Sequence, residues 1–448
     1  MRVLIIGGDA AGMSAAMQVR RRRPDWEVVV LERGAFTSYA ACGIPYWLAG
    51  DVEKFEDLQV VSPDEFRTKR GVDVRTGHEA LRIDPGARTV TAREPDGEVG
   101  EVAWDRLLVA TGAKAIVPSW PGVELEGVSV LKNLVDARRV EALLAREPRR
   151  AVVIGAGYIG LEAAEALCRR GLAVTVVERL GGVMGGVEAR ITELVREEME
   201  RQGIALRLET TVEGFTGRDG RLAGVATDAG ELEADVAIVA LGVRPEATLA
   251  DDAGIALGAS GAIAVDDRQR TSVSEVFAAG DCAEAHHRVL GRPAWIPLAL
   301  TANRAGRVAG ATICGEDDRF PGIVGSAVTR IFELTIARTG LDEGAADRAG
   351  IDVVATETTA PNRAHYFQPH ASLWVKLLHR RDDRRLVGAW LVGCDPSAGK
   401  RADVLAAAIS ADMTIDEVAD LDLTYAPPFS PVWDPVLQAA NRARFAKG

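Results

Sequence analysis

The residues able to do chemistry sit in a few glycine-punctuated stretches. Cys42 lies in Ser38-Tyr-Ala-Ala-Cys42-Gly-Ile-Pro45-Tyr46-Trp47, six residues beyond Phe36. A thiolate at such a position attacks disulfides, and a short helix starting there would place the sulfur near a helix N-terminus and favour the thiolate. A plain buried cysteine is the alternative. Position 47, where a C-x-x-x-x-C dithiol needs its second sulfur, holds Trp47. Cys42 is therefore expected to pair with a small thiol or to pass through a sulfenic acid. Cys168, Cys282, Cys314 and Cys394 form no C-x-x-C pair and no metal-ligand spacing, so each reads as a small buried hydrophobe and no metal site is expected.

Two further stretches carry nucleotide chemistry. Gly155-Ala-Gly157-Tyr158-Ile159-Gly160 follows an apolar strand, opens an Ala-rich helix, and is followed 23 residues after Gly155 by Glu178 at the end of a second strand. These glycines allow a tight turn and close approach of the backbone to a pyrophosphate, and the acid is placed for a ribose 2′-OH. Arg179 beside it softens the expected preference for NAD over NADP. Gly7-Gly8-Asp9-Ala10-Ala11-Gly12 with Glu32 repeats the pattern, except that Asp9 stands where the middle glycine belongs. Two dinucleotide units in one chain suggest a flavin dinucleotide and the nicotinamide that reduces it.

The elements that must position these residues follow from the repeat. Arg2–Glu32 and Ala151–Glu178 share one grammar of strand, glycine turn, helix and strand, so each is a βαβ unit. Three later strands end on glycine: Leu107–Gly112 with Thr111-Gly112, Ala237–Gly242, and Val276–Asp281, where Gly280-Asp281 sets an acid to accept a ribityl hydroxyl. From about Gly325 the texture turns to strands Leu373–Leu378 and Leu386–Val392, a helix Ala402–Ala411 and an aromatic, proline-rich tail. The fold class is α/β, with two Rossmann-like domains and a C-terminal α+β domain. The length of 448 residues suits roughly three domains.

Composition excludes other classes. With 53 Lys+Arg against 65 Asp+Glu the net charge is −12, which opposes nucleic-acid binding. A hydrophobic share of 47% is that of a globular chain, with no apolar run of the ~18 residues that would span a bilayer. No signal-peptide pattern precedes Val3–Ile6, and a cytoplasmic protein is expected.

The two fingerprints, SYAACGIPY, LLVATG, VFAAGD and the tail Tyr425-Ala-Pro-Pro-Phe429 resemble the coenzyme A-disulfide reductases. These belong to the single-cysteine FAD-dependent pyridine nucleotide-disulfide oxidoreductases, with NADH oxidases, NADH peroxidases and persulfide reductases. The resemblance implies a discontinuous FAD domain (1–113 and 247–323), an NAD(P) domain (114–246) and a dimerisation domain (324–448) of a homodimer. Cys42 would be the redox nucleophile, Tyr158 would cover the flavin, and Tyr366 and Tyr425 would reach the partner subunit's cysteine across the dimer. Arg33, Ala80, Leu298 and Thr301 join the expected cofactor-contacting set, with Gly242 on the nicotinamide side.

Ser14, Gln18 and Arg21 lie on one face of the first helix at i, i+4 and i+7. With Ser38, Arg70 and Asn303 they match coenzyme A-contacting positions of the family, while a solvated helix end is the plain reading of Arg20–Arg23. Ala41 replaces a common Asn, Trp433 a basic residue and Phe429 a frequent Tyr. A rhodanese-like extension after Gly448 is not expected. Three functions are carried forward. One is NAD(P)H-dependent reduction of coenzyme A disulfide or a related disulfide or persulfide. Another is reduction of O₂ or peroxide through a Cys42 sulfenic acid, and the third is a flavoprotein whose nicotinamide-dependent shape serves partner binding.

Overall fold

A computed structural model describes residues 1–186 and 188–445. Its first sheet is parallel throughout, in the order Val276–Ala278, Arg106–Val109, Arg2–Ile6, Glu27–Glu32, Asp73–Thr76. The central strands are buried on both faces, which is why Val3–Ile6 and Val28–Leu31 read as unbroken apolar runs. A second parallel sheet repeats the plan with Ala205–Arg207, Ala173–Val177, Arg150–Ile154, Val236–Val239 and Val128–Ser129. Each sheet also carries a three-stranded antiparallel meander: Glu79–Asp84, Thr89–Arg93 and Val99–Ala103 just before Arg106–Val109 in the first, and Val212–Arg218, Arg221–Thr227 and Gly230–Glu233 just before Val236–Val239 in the second. The duplication thus extends beyond the βαβ units.

The chain passes between the two sheets twice. Ala113–Ala115 and Val243–Pro245 pair antiparallel at the crossing. The third body is an antiparallel sheet in the order Ala327–Ile331, Leu334–Gly340, Leu386–Gly393, Ser372–Arg380, Val353–Pro361, covered by helices Ser397–Ser410 and Pro435–Phe445. The first of these helices starts five residues before the Ala402 expected from sequence, because Pro396 and Asp395 initiate the turn. In the first domain, helix Ala10–Arg22 packs on helix Ala299–Ile313 through glycine. A Cβ on Gly306 would lie 2.2 Å from the Ala11 carbonyl oxygen, and one on Gly310 2.6 Å from that of Ala15.

One hydrophobic cluster joins all three bodies at the Cys42 segment. It holds Ile44, Trp47 and Leu48, then Leu161 and Ala164 of helix Tyr158–Arg169, then Ile331, Trp374 and Trp390 of the C-terminal sheet. No helix among the described residues is long and apolar enough to cross a membrane.

Candidate active site at the junction of the three bodies

The two glycine turns are near copies in atomic detail. Gly7 has φ +106° and Gly155 φ +104°, values that L side chains rarely adopt. A Cβ on Gly12 would sit 1.9 Å from the Gly7 carbonyl oxygen, and one on Gly160 would sit 1.9 Å from that of Gly155. The glycines are therefore what lets helix Ala10–Arg22 and helix Tyr158–Arg169 start tight against their strands. Glu32 accepts the Gly8 N–H at 2.8 Å and the Gly34 N–H at 2.6 Å. Glu178 likewise accepts the Ala156 N–H at 2.9 Å and the Leu180 N–H at 2.9 Å. Both carboxylates are thus locked at strand ends beside their turns. A Cβ on Gly157 would meet nothing within 4 Å, so space for a phosphate lies open there. Arg33 and Arg179 follow their acids with exposed side chains.

Asp9 does not cap the helix it precedes. Its carboxylate instead accepts the Tyr39 N–H at 3.1 Å, tying the first turn to the segment that carries Cys42. Burial pushes its pKa up to about 6. Thr111 donates its hydroxyl to the Glu246 carbonyl, and the Glu246 N–H returns to the Gly112 carbonyl at 2.9 Å, closing the crossing between the sheets. Gly242 accepts the Ile116 N–H at 3.0 Å on the other strand of that crossing. Gly280 has φ +90°, and a Cβ there would meet the Ala11 side chain at 2.9 Å. Asp281 follows with a carboxyl raised by burial, eased by the Lys132 ammonium, and with no side-chain hydrogen bond among the described residues. A half-buried carboxyl without a protein partner beside a glycine cradle suits a polyhydroxyl chain such as ribityl. Ala80 is half-buried against the cluster that includes Val29 and Leu31. Leu298 and Thr301 stand at the start of helix Ala299–Ile313.

Cys42 sits in the single turn Ala41–Gly43, exposed, directly before helix Ile44–Ala49. The expected thiolate-favouring helix end is corrected by the structure. That helix has six residues, and the surroundings push the thiol pKa up, first through desolvation, then through Glu162, with Asp281 and Asp9 adding to it. Lys132 alone among its named influences acts the other way. Tyr46, one turn after Cys42, lies near the Glu162 carboxyl, which accepts the Thr329 hydroxyl at 2.7 Å from the C-terminal sheet. Burial raises both members of this pair, Tyr46 to about 12. Tyr158 lies one turn before Glu162 on the same helix, largely buried, with its hydroxyl pKa raised.

Tyr46, Lys132 and Glu162 were not found from sequence. Two signals pointed to them. Glu162 shares a helix face with Tyr158 at i+4, and Lys132 is one of only seven lysines among 53 basic residues.

The expected substrate-gripping residues divide. Ser14 donates to Asn303 at 2.8 Å, joining two candidates across the helix pair. Gln18 is 7% exposed and accepts from Arg22, so it faces inward and not out to solvent. Arg20 is held by the Pro24 and Trp26 carbonyls, Arg22 by Glu316, and Arg23 by the Cys314 carbonyl. Arg21 is exposed and forms no ion pair among the described residues. Arg70 pairs with Glu65 at 2.7 Å and lies over the Phe66 ring. Ser38 has φ +48° and is pinned by its N–H to the Gly8 carbonyl at 3.0 Å. Tyr366 and Tyr425 stand on the C-terminal body, 64% and 48% exposed, near enough that Tyr366 raises the Tyr425 phenol pKa.

The profile of the pyridine nucleotide-disulphide oxidoreductases matches residues 1–306, and that of their dimerisation domain matches 326–435. An NAD(P)H sulfur oxidoreductase (CoA-dependent) of Pyrococcus abyssi is 39% identical over 445 residues, covering 99% of this chain and 98% of that one. A coenzyme A disulfide reductase of Staphylococcus aureus is 29% identical, covering 96% of each. The structure of an NAD-dependent persulfide reductase from A. fulgidus superposes with a TM-score of 0.96 at 37% identity, covering 99% of this chain and 83% of that one. Two glycine cradles, a lone cysteine between them and these full-length likenesses make the chain a member of the FAD- and NAD(P)H-using pyridine nucleotide-disulphide oxidoreductases.

Proposed function

We propose that the chain uses NAD(P)H to reduce coenzyme A-linked disulfides or persulfides through Cys42. The observation that carries this reading is an exposed single thiol at the meeting point of the two cradles, with no second cysteine at position 47. The cradle of Gly7, Gly8, Ala10, Ala11, Gly12, Glu32, Gly280 and Asp281 holds FAD, and that of Gly155, Gly157, Ile159, Gly160 and Glu178 holds the nicotinamide nucleotide. When bound, FAD supplies the electron pair taken from NAD(P)H. Cys42 attacks one sulfur of the substrate, forming a mixed disulfide and expelling a thiolate. Addition of two electrons and a proton to that mixed disulfide releases the second thiol and restores Cys42. The balance is RSSR′ + NAD(P)H + H⁺ → RSH + R′SH + NAD(P)⁺.

Lys132 offers the positive charge that a thiolate at Cys42 needs. In a homodimer, Tyr366 and Tyr425 of one subunit protonate the leaving thiolate at the other's Cys42. Arg21, with the Ser14–Asn303 pair, lies on the face that grips the coenzyme's phosphates. The crossing at Ala113–Ala115 and Val243–Pro245 supports the division at 113/114 and 246/247, with dimerisation by 324–448. A cytoplasmic setting keeps the thiol reduced.

The test is NADH consumption by the purified flavoprotein, anaerobic with coenzyme A disulfide, beside an aerobic sample without it. Fast anaerobic turnover is expected, and Cys42→Ser brings it to background while flavin stays bound. Turnover only in air would make the protein an oxidase, and disulfide turnover retained by Cys42→Ser would remove the thiol from the mechanism.

A further inference from the structure

The two exposed tyrosines stand on separate loops that have no regular structure of their own. Tyr366 lies in the tip between strands Val353–Pro361 and Ser372–Arg380, which is closed by paired bonds between Asn362 and Ala371. Tyr425 lies in the extended tail ahead of helix Pro435–Phe445. One backbone bond, Ala364 N–H to the Pro427 carbonyl at 3.2 Å, links the loops. Beneath them sits a guanidinium. Arg401, on helix Ser397–Ser410, is 8% exposed and donates to the Asn362 carbonyl at 2.8 Å and to the Phe429 carbonyl at 3.2 Å. Its Nε donates to Asp434 Oδ2 at 2.8 Å, and its remaining terminal nitrogen to the Ser397 hydroxyl.

Asp434 is 6% exposed and extends the clasp. It accepts the Ser430 hydroxyl at 2.9 Å and the Val436 N–H at 2.9 Å, so one carboxylate fastens the tail loop to the helix that follows. Asn362 and Ser430 are 2% and 4% exposed, whereas the aromatic residues they support, Tyr366 and Phe429, are 64% and 77% exposed. The exposed ends of both loops therefore hang from one buried ion pair. An ion pair taken out of water is a poor source of net stability, and a well-packed apolar pair does as well. What an apolar pair cannot do is bind two carbonyls from different loops in a fixed plane, which a guanidinium fork does and a point-charge ammonium does not.

We propose that Arg401, held by Asp434, is the positioning residue that fixes the two loops carrying Tyr366 and Tyr425 relative to each other. The inference rests on the reading above for its catalytic consequence, though not for its geometry. The Arg401–Asp434 clasp aligns the pair from within its own subunit, out of reach of substrate. Arg401→Lys retains a charge for Asp434 but loses the fork, so the domain folds while the loops part.

The experiment uses the dimeric flavoprotein, with wild type, Arg401→Lys, Tyr366→Phe/Tyr425→Phe and the triple variant. In Arg401→Lys the phenol titration of Tyr425, read by ultraviolet difference against Tyr425→Phe, returns to lower pH because Tyr366, which raises it, draws away with its loop. Disulfide turnover falls roughly tenfold, equivalent to about 1.4 kcal/mol, while NADH-driven ferricyanide reduction, which needs no cysteine, stays within twofold. In the double-Phe background Arg401→Lys has no further effect. An unshifted titration in a folded Arg401→Lys dimer overturns the proposal, as does an equal loss of turnover in the double-Phe background. A shifted titration with undiminished turnover upholds the clasp and removes the tyrosines from catalysis. If Arg401→Lys fails to fold, Asp434→Asn, which keeps the guanidinium fork but weakens its anchor, is read by the same titration and the same criteria.

Discussion

At the scale of single residues, Cys42 is governed less by its own turn than by what two distant segments bring to it. Glu162 reaches it from the nicotinamide-side helix and Lys132 from the segment before helix Leu134–Leu144, and the two act in opposite directions. Glu162→Gln removes the opposing negative charge, so the thiol pKa falls. The pH profile of Cys42 alkylation, measured without nicotinamide nucleotide, is expected to move to lower pH, with the Gln side chain still able to accept from Thr329. An unmoved profile would leave Glu162 without influence on the thiol. Glu178 is pinned by two backbone N–H groups and cannot swing away from an incoming 2′-phosphate. Glu178→Ala therefore raises the NADPH to NADH ratio of kcat/KM on the order of tenfold, about 1.4 kcal/mol, with Arg179 left to meet the phosphate.

At the scale of elements, His287 shows how a loop is held. It lies in strand Ala285–His287, 2% exposed, and its Nδ1 accepts the Leu290 N–H at 3.4 Å. Burial, helped by His286 and Arg338, lowers its pKa to about 4. The unfolded chain takes up a proton near pH 6.5 and the folded one only near 4, so this group's contribution is complete above 6.5 and is lost as pH falls from 6.5 to 4. The lost stability amounts to at most about 3 kcal/mol. His287→Gln is expected to flatten that acid limb in a plot of Tm against pH, with little change between pH 7 and 8. An equally steep limb in the variant would place the acid sensitivity elsewhere.

At the scale of the molecule, the nicotinamide-side body is tied to the C-terminal sheet by charge. Lys376 is 4% exposed and pairs with Glu188 at 2.8 Å, with Glu343, and with Glu357 at 3.5 Å. Glu165 accepts the Phe332 N–H at 2.7 Å, and Asp51 of the Cys42 segment pairs with both Arg169 and Arg330. Lys376→Met leaves Glu188 largely buried without its cation, a loss of roughly 3 to 5 kcal/mol. Denaturation is expected to begin earlier and in two steps in that variant, monitored by flavin release and far-ultraviolet dichroism. A single transition at the wild-type midpoint would show the tie to be dispensable.

The glycines, the alternating strands and helices and the acids at strand ends were legible in the chain because each is a local requirement: a turn with positive φ, a parallel strand buried on both faces, a carboxylate at a fixed distance after a fingerprint. Gly7, Gly12, Glu32, Gly155, Gly160 and Glu178 all stand where that local grammar puts them. The inserted meanders escaped notice because short antiparallel strands carry little periodicity beside a strong βαβ signal. The electrostatics of Cys42 could not be read at all. Its neighbours Asp9, Lys132, Glu162 and Asp281 are separated by up to 272 positions in sequence. Local sequence fixes neither burial nor the sign of the charges that packing brings within reach, and those two quantities set a thiol's reactivity. The Arg401 clasp is decided in the same way, since a buried guanidinium takes its meaning only from the two loops that the tertiary fold lays across it.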